Sequence, residues 1–248
     1  QKVGDIYVKR DDLYEKFGSY GAKTRSCHAL ILDAIEKGYK HVTTAGSKSS
    51  PQINIVAHLC KHYGLQFTAH CPLGELGAEV LNAQALGANV MQYKGGYNNV
   101  IISKSKHFAE ANNAYDIPFG MEGDIAVEQT ALQVRNIPKD VKRIVIPVGG
   151  SMNLCGVLQG LDAQNLDIPV LGVIIGKDPY KTIGKYAPFL WQSRVKLVES
   201  GYKYHQEVEE YIGDIRLDPI YEAKCKQFLE PNDLMWIVGI RSTLRNNS

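Results

Sequence analysis

The run Arg143-Ile144-Val145-Ile146-Pro147-Val148 is apolar at successive positions and leads straight into Gly149-Gly150-Ser151-Met152-Asn153. A strand with no polar alternation must be covered on both faces, which is the condition of a strand inside a parallel sheet flanked by helices. The small residues after it permit a tight turn into a helix over 152–163. One buried strand of this kind requires others beside it, each joined by a crossover helix.

The rest of the chain supplies them. Spacing of Ala29, Leu30, Leu32 and Ile35 predicts a helix over 24–38, closed by Gly38. His41-Val42-Thr43-Thr44 reads as a strand, Ala45 to Ser50 as a polar turn, and Pro51 as the first turn of a helix running to Gly64. Strands follow at 67–71 and 89–93, with helices at 78–86 and 98–112. Beyond Pro118-Phe119-Gly120 come a helix near 124–135, the strand 143–148, a strand over 169–175 and a helix or turn near 179–188. Asp5 to Lys9 is strand-like. The fold class is α/β, with parallel, doubly wound sheets flanked by helices. No linker divides the chain, so one domain inserted within another is expected rather than two in succession.

Composition narrows the function classes. Hydrophobic residues make up 44% and charged residues 22% of 248, ordinary for a globular chain. A net charge of +2 provides no global attraction to nucleic acid or membranes, although a local basic face stays open. No apolar run is long enough to span a bilayer and the first residues do not form a signal peptide; scattered cysteines, odd in number, make a reducing cytoplasm the expected setting. The chain opens on Gln1 almost directly before a strand, an opening that suits a trimmed sequence. Its five cysteines (27, 60, 71, 155 and 225) have no metal-like CxxC spacing and read as small packing residues, with no metal site.

Four segments carry chemistry. Gly149 to Asn153 lets backbone approach an anion, and the following helix N-terminus offers free N–H groups; a plain tight turn needs the same residues. Lys23, in Tyr20-Gly21-Ala22-Lys23-Thr24-Arg25, stands at the mouth of a helix, where the helix end and Arg25 both favour the neutral, nucleophilic amine. A solvated surface lysine is the simpler reading of that residue alone. Ser47-Lys48-Ser49-Ser50 opens the next helix and suits either a bound carboxylate or simple capping by Ser49 or Ser50. In Leu217-Asp218-Pro219-Ile220-Tyr221-Glu222-Ala223-Lys224, Tyr221 and Glu222 suit acid–base work and pairing with a heterocycle nitrogen. Taken alone, that segment reads as a helix capped by Asp218, with Pro219 first and Glu222 on a solvated face. A reactive amine together with a phosphate cradle suggests pyridoxal 5'-phosphate as cofactor.

Jointly and in this order, the four segments resemble the fold-type II pyridoxal-phosphate enzymes, the tryptophan synthase beta superfamily. The branch resembled is that of aminocyclopropane-carboxylate deaminase and D-cysteine desulfhydrase. Val8-Lys9-Arg10-Asp11-Asp12-Leu13, Gly21-Ala22-Lys23-Thr24-Arg25, Pro118-Phe119-Gly120-Met121-Glu122-Gly123 and Asp218 to Lys224 carry the likeness, which reaches Trp236-Ile237-Val238. The resemblance implies that Lys23 forms the Schiff base and that Gly149, Gly150, Ser151, Met152 and Asn153 hold the phosphate. It implies that Ser49 meets the substrate carboxylate, that Glu222 pairs with the pyridine nitrogen, and that Tyr221, with Tyr204 second, stands by the substrate. It further implies a large domain of residues 1–36 and 119–248, a small inserted domain of 37–118, and a homodimer. Ser50 replaces the asparagine that touches the cofactor's phenolic oxygen in the family, and Ser26 replaces a second lysine. Gly239-Ile240-Arg241-Ser242 departs from the family's glycine pair, and the turn holding Lys48, itself a rival Schiff-base lysine, is unusual.

Three functions follow as expectations. The first is a lyase or deaminase releasing ammonia and an oxoacid from a small amino acid. The second keeps the cofactor but decarboxylates an amino acid, one attached to a modified pyrimidine in phage DNA being the extreme case. Lys48, Lys177 and Arg241 near the expected mouth motivate it, and nucleic acid is a partner only here. The third is a non-catalytic relic binding a small anion, against which stand Lys23, Tyr221 and Glu222.

Overall fold

The computed structural model describes residues 1–95, 98–176 and 178–239. In chain order come β1 (Lys2–Val3), β2 (Ile6–Arg10), β3 (Glu15–Lys16), β4 (Ser19–Tyr20), α1 (Ala22–Glu36), β5 (His41–Ala45) and α2 (Pro51–Tyr63). Next are β6 (Gln66–Pro72), α3 (Ala78–Ala85), β7 (Asn89–Tyr93), α4 (Asn98–Asn112), β8 (Tyr115–Ile117) and α5 (Asp124–Ala131). Then follow β9 (Arg143–Val148), α6 (Met152–Ala163), β10 (Val170–Ile174), α7 (Tyr180–Tyr186), α8 (Trp191–Arg194) and β11 (Val195–Glu199). Two short strands, β12 (Tyr211–Ile212) and β13 (Ile215–Arg216), precede β14 (Asp233–Ile237). The chain divides into two compact units, one of residues 1–13 and 123–239, the other Tyr14–Glu122.

The first unit is built on a six-stranded sheet ordered β1-β2-β14-β9-β10-β11. Every pairing in it is parallel except that of β1 with β2. Central β9 is covered on both faces, as its unbroken apolar run demands. Val145 packs with Val173, Met235, Ile212, Ile215, Leu217 and Ile220 in one buried cluster, and Ile144 and Ile146 are also fully buried. Each such buried side chain contributes roughly 1.5–3 kcal/mol relative to exposure. From β9 the chain winds outward through β10 to β11, while β14 and β2 lie on the other side. The winding therefore changes direction between β9 and β14. In sheets of this class the carboxyl ends of the strands at such a point form the ligand crevice. The loop that leaves β9 there is Gly149-Gly150-Ser151.

The second unit holds a four-stranded, wholly parallel sheet ordered β7-β6-β5-β8. Here β5 leads to β6 and β7 on one side and pairs with β8 on the other, so the change of direction falls at β5. The loop leaving its carboxyl end is Gly46-Ser47-Lys48-Ser49-Ser50. Sequence reading begins the inserted domain at residue 37, whereas this unit also takes in β3, β4 and α1. The reason is packing: α1 buries Cys27, Leu30, Ile31 and Ala34, and it packs against α2, β4 and β8 of the same unit.

Two local expectations change. The helix expected near 124–135 is α5 followed by 3-10 turns over Leu132–Asn136. The helix expected to start at Pro219 does not form there. Asp218 Oδ1 accepts the N–H groups of Ile220 (2.9 Å) and Tyr221 (3.1 Å), closing a turn, and a 3-10 helix begins only at Glu222. All five cysteines are buried free thiols, as their spacing suggests. Among the described residues no helix is long and apolar enough to cross a membrane, and no group of His, Cys, Asp and Glu could hold a metal ion.

Candidate active site

In the first unit the residues singled out by sequence gather at the carboxyl ends of β9 and β10. Gly149 is there of necessity, since a Cβ at that position would fall 2.9 Å from Tyr221 Cε1. Gly176, just past β10, borders the same cluster without a steric demand: its Cβ would make ordinary contact with Gly149 and the Tyr204 ring at 3.9 Å. The hydroxyls of Tyr204 and Tyr221 are 2.9 Å apart, so glycines and tyrosines form one cluster. A Cβ at Gly150 would meet nothing, so the outer side of the loop faces open space. Ser151 takes the left-handed conformation (φ 65°) at the N-cap of α6, yet its hydroxyl makes no capping bond. The first-turn N–H groups of α6 lack intrahelical acceptors by helix geometry, which leaves an anion cradle at 149–153. Met152 is buried. Asn153 also engages α5, its Oδ1 accepting from Thr130 Oγ1 at 3.3 Å.

Glu222 is not on a solvated face. It is 1% exposed, and Oε1 accepts the N–H of Val238 (2.8 Å) and of Gly239 (3.4 Å) just beyond β14. Its other oxygen, Oε2, is buried with no hydrogen-bond partner among the described residues. Burial, then the charge of Asp218, pushes the carboxyl up to about 8, against the opposing pull of the Val238 and Gly239 amides. A buried acceptor left unmatched costs on the order of 1–3 kcal/mol, more if charged.

Lys224, two residues on, was not marked as a site residue from sequence. It is fully buried, and its ammonium donates to the carbonyl oxygens of Lys203 and Tyr204, both at 2.9 Å. Burial draws its ammonium below the ordinary lysine value. It thereby fixes the backbone that carries Tyr204. Gly176 also escaped notice; a glycine directly after the apolar run Val173-Ile174-Ile175 was its signal.

In the second unit Lys23 is the second residue of α1 and half-buried, behind Gly21, whose φ of 92° sets the entry into the helix. Cys27 lies one turn on; burial pushes its thiol up to about 12 while the charge of Lys23 acts the other way. The Arg25 guanidinium lies 4.1 Å from the centre of the Tyr14 ring. Ser26, which stands in place of a lysine in the resemblance, is buried.

Ser49 and Ser50 sit in the loop leaving β5. Ser50 is the N-cap residue of α2, yet its side chain makes no bond to the first turn, so capping does not explain it. Ser50 is 9% exposed, and Ser49 is exposed with its hydroxyl directed at Gly77, where a Cβ would fall 2.3 Å from Oγ. Gln52 Nε2 ties the start of α2 to Thr44 Oγ1 and to the Pro118 carbonyl, both at 2.9 Å. Lys177, Ile240, Arg241 and Ser242 fall outside the described residues.

The donor set fits pyridoxal 5'-phosphate. An open glycine-lined cradle at a helix N-terminus suits the phosphate, and the orphaned Glu222 Oε2 suits a protonated heterocycle nitrogen.

Known proteins place this geometry in a family. The chain is 27% identical over 265 aligned positions to a putative 1-aminocyclopropane-1-carboxylate deaminase of Thermotoga maritima, covering 91% of this chain and 83% of that protein. A glycyl-dTMP PLP-dependent decarboxylase of Pseudomonas phage M6 is 24% identical, over 94% of this chain and 90% of its own length. Among solved structures, an ACC deaminase homologue superposes with a TM-score of 0.83 at 23% identity, covering 96% of this chain and 85% of that one, and shares its fold. Residues 1–194 match the family described as pyridoxal-phosphate dependent enzyme, and the chain accordingly belongs to that family, with pyridoxal 5'-phosphate as its cofactor.

Proposed function

We propose that this protein is a lyase or deaminase of small amino acids, with Lys23 as the residue that holds the cofactor. The observation that carries the reading is the buried Oε2 of Glu222, an acceptor with no hydrogen-bond partner among the described residues, in the unit that holds the phosphate cradle. When bound, pyridoxal phosphate supplies an electron sink for the bond broken at the substrate Cα. Gly149, Gly150, Ser151 and the first turn of α6 bind the phosphate. Asn153 steadies that turn through Thr130. Glu222 Oε2 would accept from the ring nitrogen and favour its protonated form. Lys23, held at the start of α1, would hold the cofactor through Nζ, and the same amine could carry a proton to or from the substrate Cα. Ser49 donates to the substrate carboxylate, and Ser50 lies next to it with its hydroxyl uncommitted to the helix. Tyr221, hydrogen-bonded to Tyr204, passes a proton at the phenol oxygen in this reading.

A second reading, decarboxylation of an amino acid carried on a nucleotide, is favoured by one observation. The phage decarboxylase matches this chain across nine-tenths of both lengths. The two readings part on products. Holoenzyme is incubated with a panel of free amino acids and glycyl-nucleotides while ammonia, oxoacid and carbon dioxide are assayed. Ammonia with oxoacid supports the first reading, and carbon dioxide without ammonia the second. No product from a fully loaded protein would contradict both.

A further inference from the structure

Lys48 occupies the loop at the change of winding in the second unit, and neither the family match nor the reading above uses its charge. The side chain is half-buried, and its ammonium stands at the loop after β6: a Cβ on Gly74 would fall 2.7 Å from Nζ. Gly74, at φ 140°, leaves the space the ammonium needs. That loop is itself fixed, because Gln92 Nε2 donates to the carbonyls of Pro72 (3.2 Å) and Gly74 (2.7 Å). The Lys48 backbone is fixed too, its carbonyl accepting the Gly77 N–H at 2.8 Å. Near the ammonium lies the Cys71 thiol, whose burial raises its pKa while the Lys48 charge opposes the rise. Among the described residues no carboxylate pairs with Lys48, in contrast to Lys9, Arg10, Lys37 and Arg143, which all have partners. A partly desolvated cation without a counterion in a rigid setting is matched most favourably by an anion that arrives with the ligand.

Ser49 and Lys48 address different parts of the neighbouring loop, Ser49 meeting Gly77 and Lys48 meeting Gly74. They therefore offer two anion contacts rather than one. Resting on the reading that Ser49 takes the α-carboxylate, we propose that Lys48 selects substrates bearing a second, distal anionic group, a phosphate ester or a side-chain carboxylate. Lys48 is thus a specificity residue, and its partner is part of the substrate.

The test uses holoenzyme of the wild type, Lys48→Met and Lys48→Arg. Both enantiomers of serine and O-phosphoserine, and of alanine and aspartate, are titrated while the cofactor's visible absorbance is followed. In the wild type, the anionic member of at least one pair is expected to half-saturate at a concentration about ten-fold lower than its neutral partner, equivalent to about 1.4 kcal/mol. Lys48→Met is expected to abolish that preference and Lys48→Arg to keep most of it. The phosphate and carboxylate pairs separate the two sources of the anion. Equal half-saturation within every pair in the wild type, or a preference that survives Lys48→Met, overturns the proposal alone. A fully loaded protein whose spectrum responds to no amino acid overturns the functional reading and this proposal with it.

Discussion

Glu222 has one oxygen satisfied by two backbone amides and one buried without a hydrogen-bond partner among the described residues, and its burial shapes how the cofactor-free protein responds to pH. Its carboxyl rises from 4.5 to about 8 on folding, so between those values the folded chain keeps a proton that the unfolded chain has lost. The stability tied to that proton is present at low pH and is lost as pH rises toward 8. His70 works the other way. Burial lowers it from 6.5 to about 4, so its contribution grows with pH and is complete by 6.5. The two oppose each other between 4.5 and 6.5, and above 6.5 the Glu222 effect stands alone of the pair. The cofactor-free protein is therefore expected to melt at progressively lower temperature from pH 6.5 to 8. Glu222→Gln is expected to flatten that slope in thermal denaturation scans; an unchanged slope would place the titration elsewhere.

Lys224 makes a second prediction at the same scale. Its ammonium grips the Lys203 and Tyr204 carbonyls from a fully buried position, so Lys224→Met takes the ammonium from the Tyr204 carbonyl, while the Lys203 carbonyl still accepts the Gln206 N–H at 3.0 Å. A loss of about 1–3 kcal/mol in denaturant unfolding is expected. Loss of the Tyr204–Tyr221 hydrogen bond should accompany it, read as a fall in kcat that Tyr204→Phe reproduces without the loss of stability. Of these residues, sequence made Tyr221 and Glu222 legible as chemistry. It could not show that Glu222 is buried, because the amides that hold it belong to Val238 and Gly239, sixteen residues and more away in the chain.

At the level of elements, the anion cradle is aimed by the packing of α6 on α5. Gly156 and Gly160 lie one turn apart on α6, and each is pressed against the preceding helical segment. A Cβ on Gly156 would fall 2.4 Å from Thr130 Cβ and 2.7 Å from the Val127 carbonyl; one on Gly160 would fall 2.5 Å from the Ala131 carbonyl. Backbone cannot yield as a flexible side chain can. Gly156→Val is thus expected to destabilise the protein by about 1–3 kcal/mol. It should also weaken cofactor binding, since the cradle begins at the N-terminus of the same helix. Denaturant midpoints and fluorescence titration with pyridoxal phosphate check both parts. Strands and helices were readable here because unbroken apolar runs and helical spacing are local properties. The turn at Asp218 was not, since the same Asp-Pro opening serves a capped helix or an Asx turn. Ser50 shows the converse: it sits where a cap would sit, but its hydroxyl is not used as one.

For the whole molecule, both sheets place their glycine- or serine-rich loop at the strand where the winding reverses, and those loops contain Gly149 to Ser151 and Gly46 to Ser50. The α/β class and parallel sheets follow from the sequence pattern, and the order of strands does not, because long-range pairing leaves no local trace. The same limit explains why residues 14–36 read as part of the larger domain, although α1 packs with α2 in the other unit. The central claim is that the cofactor is held on Lys23, and its most direct test is covalent. The protein is loaded with pyridoxal phosphate, its absorbance spectrum is recorded, and borohydride reduction is followed by peptide mass mapping. Stoichiometric pyridoxyl label on Lys23, with a visible band that reduction abolishes, is the predicted result. Label on Lys48 or scattered over surface lysines, or no reducible band at all, would contradict it.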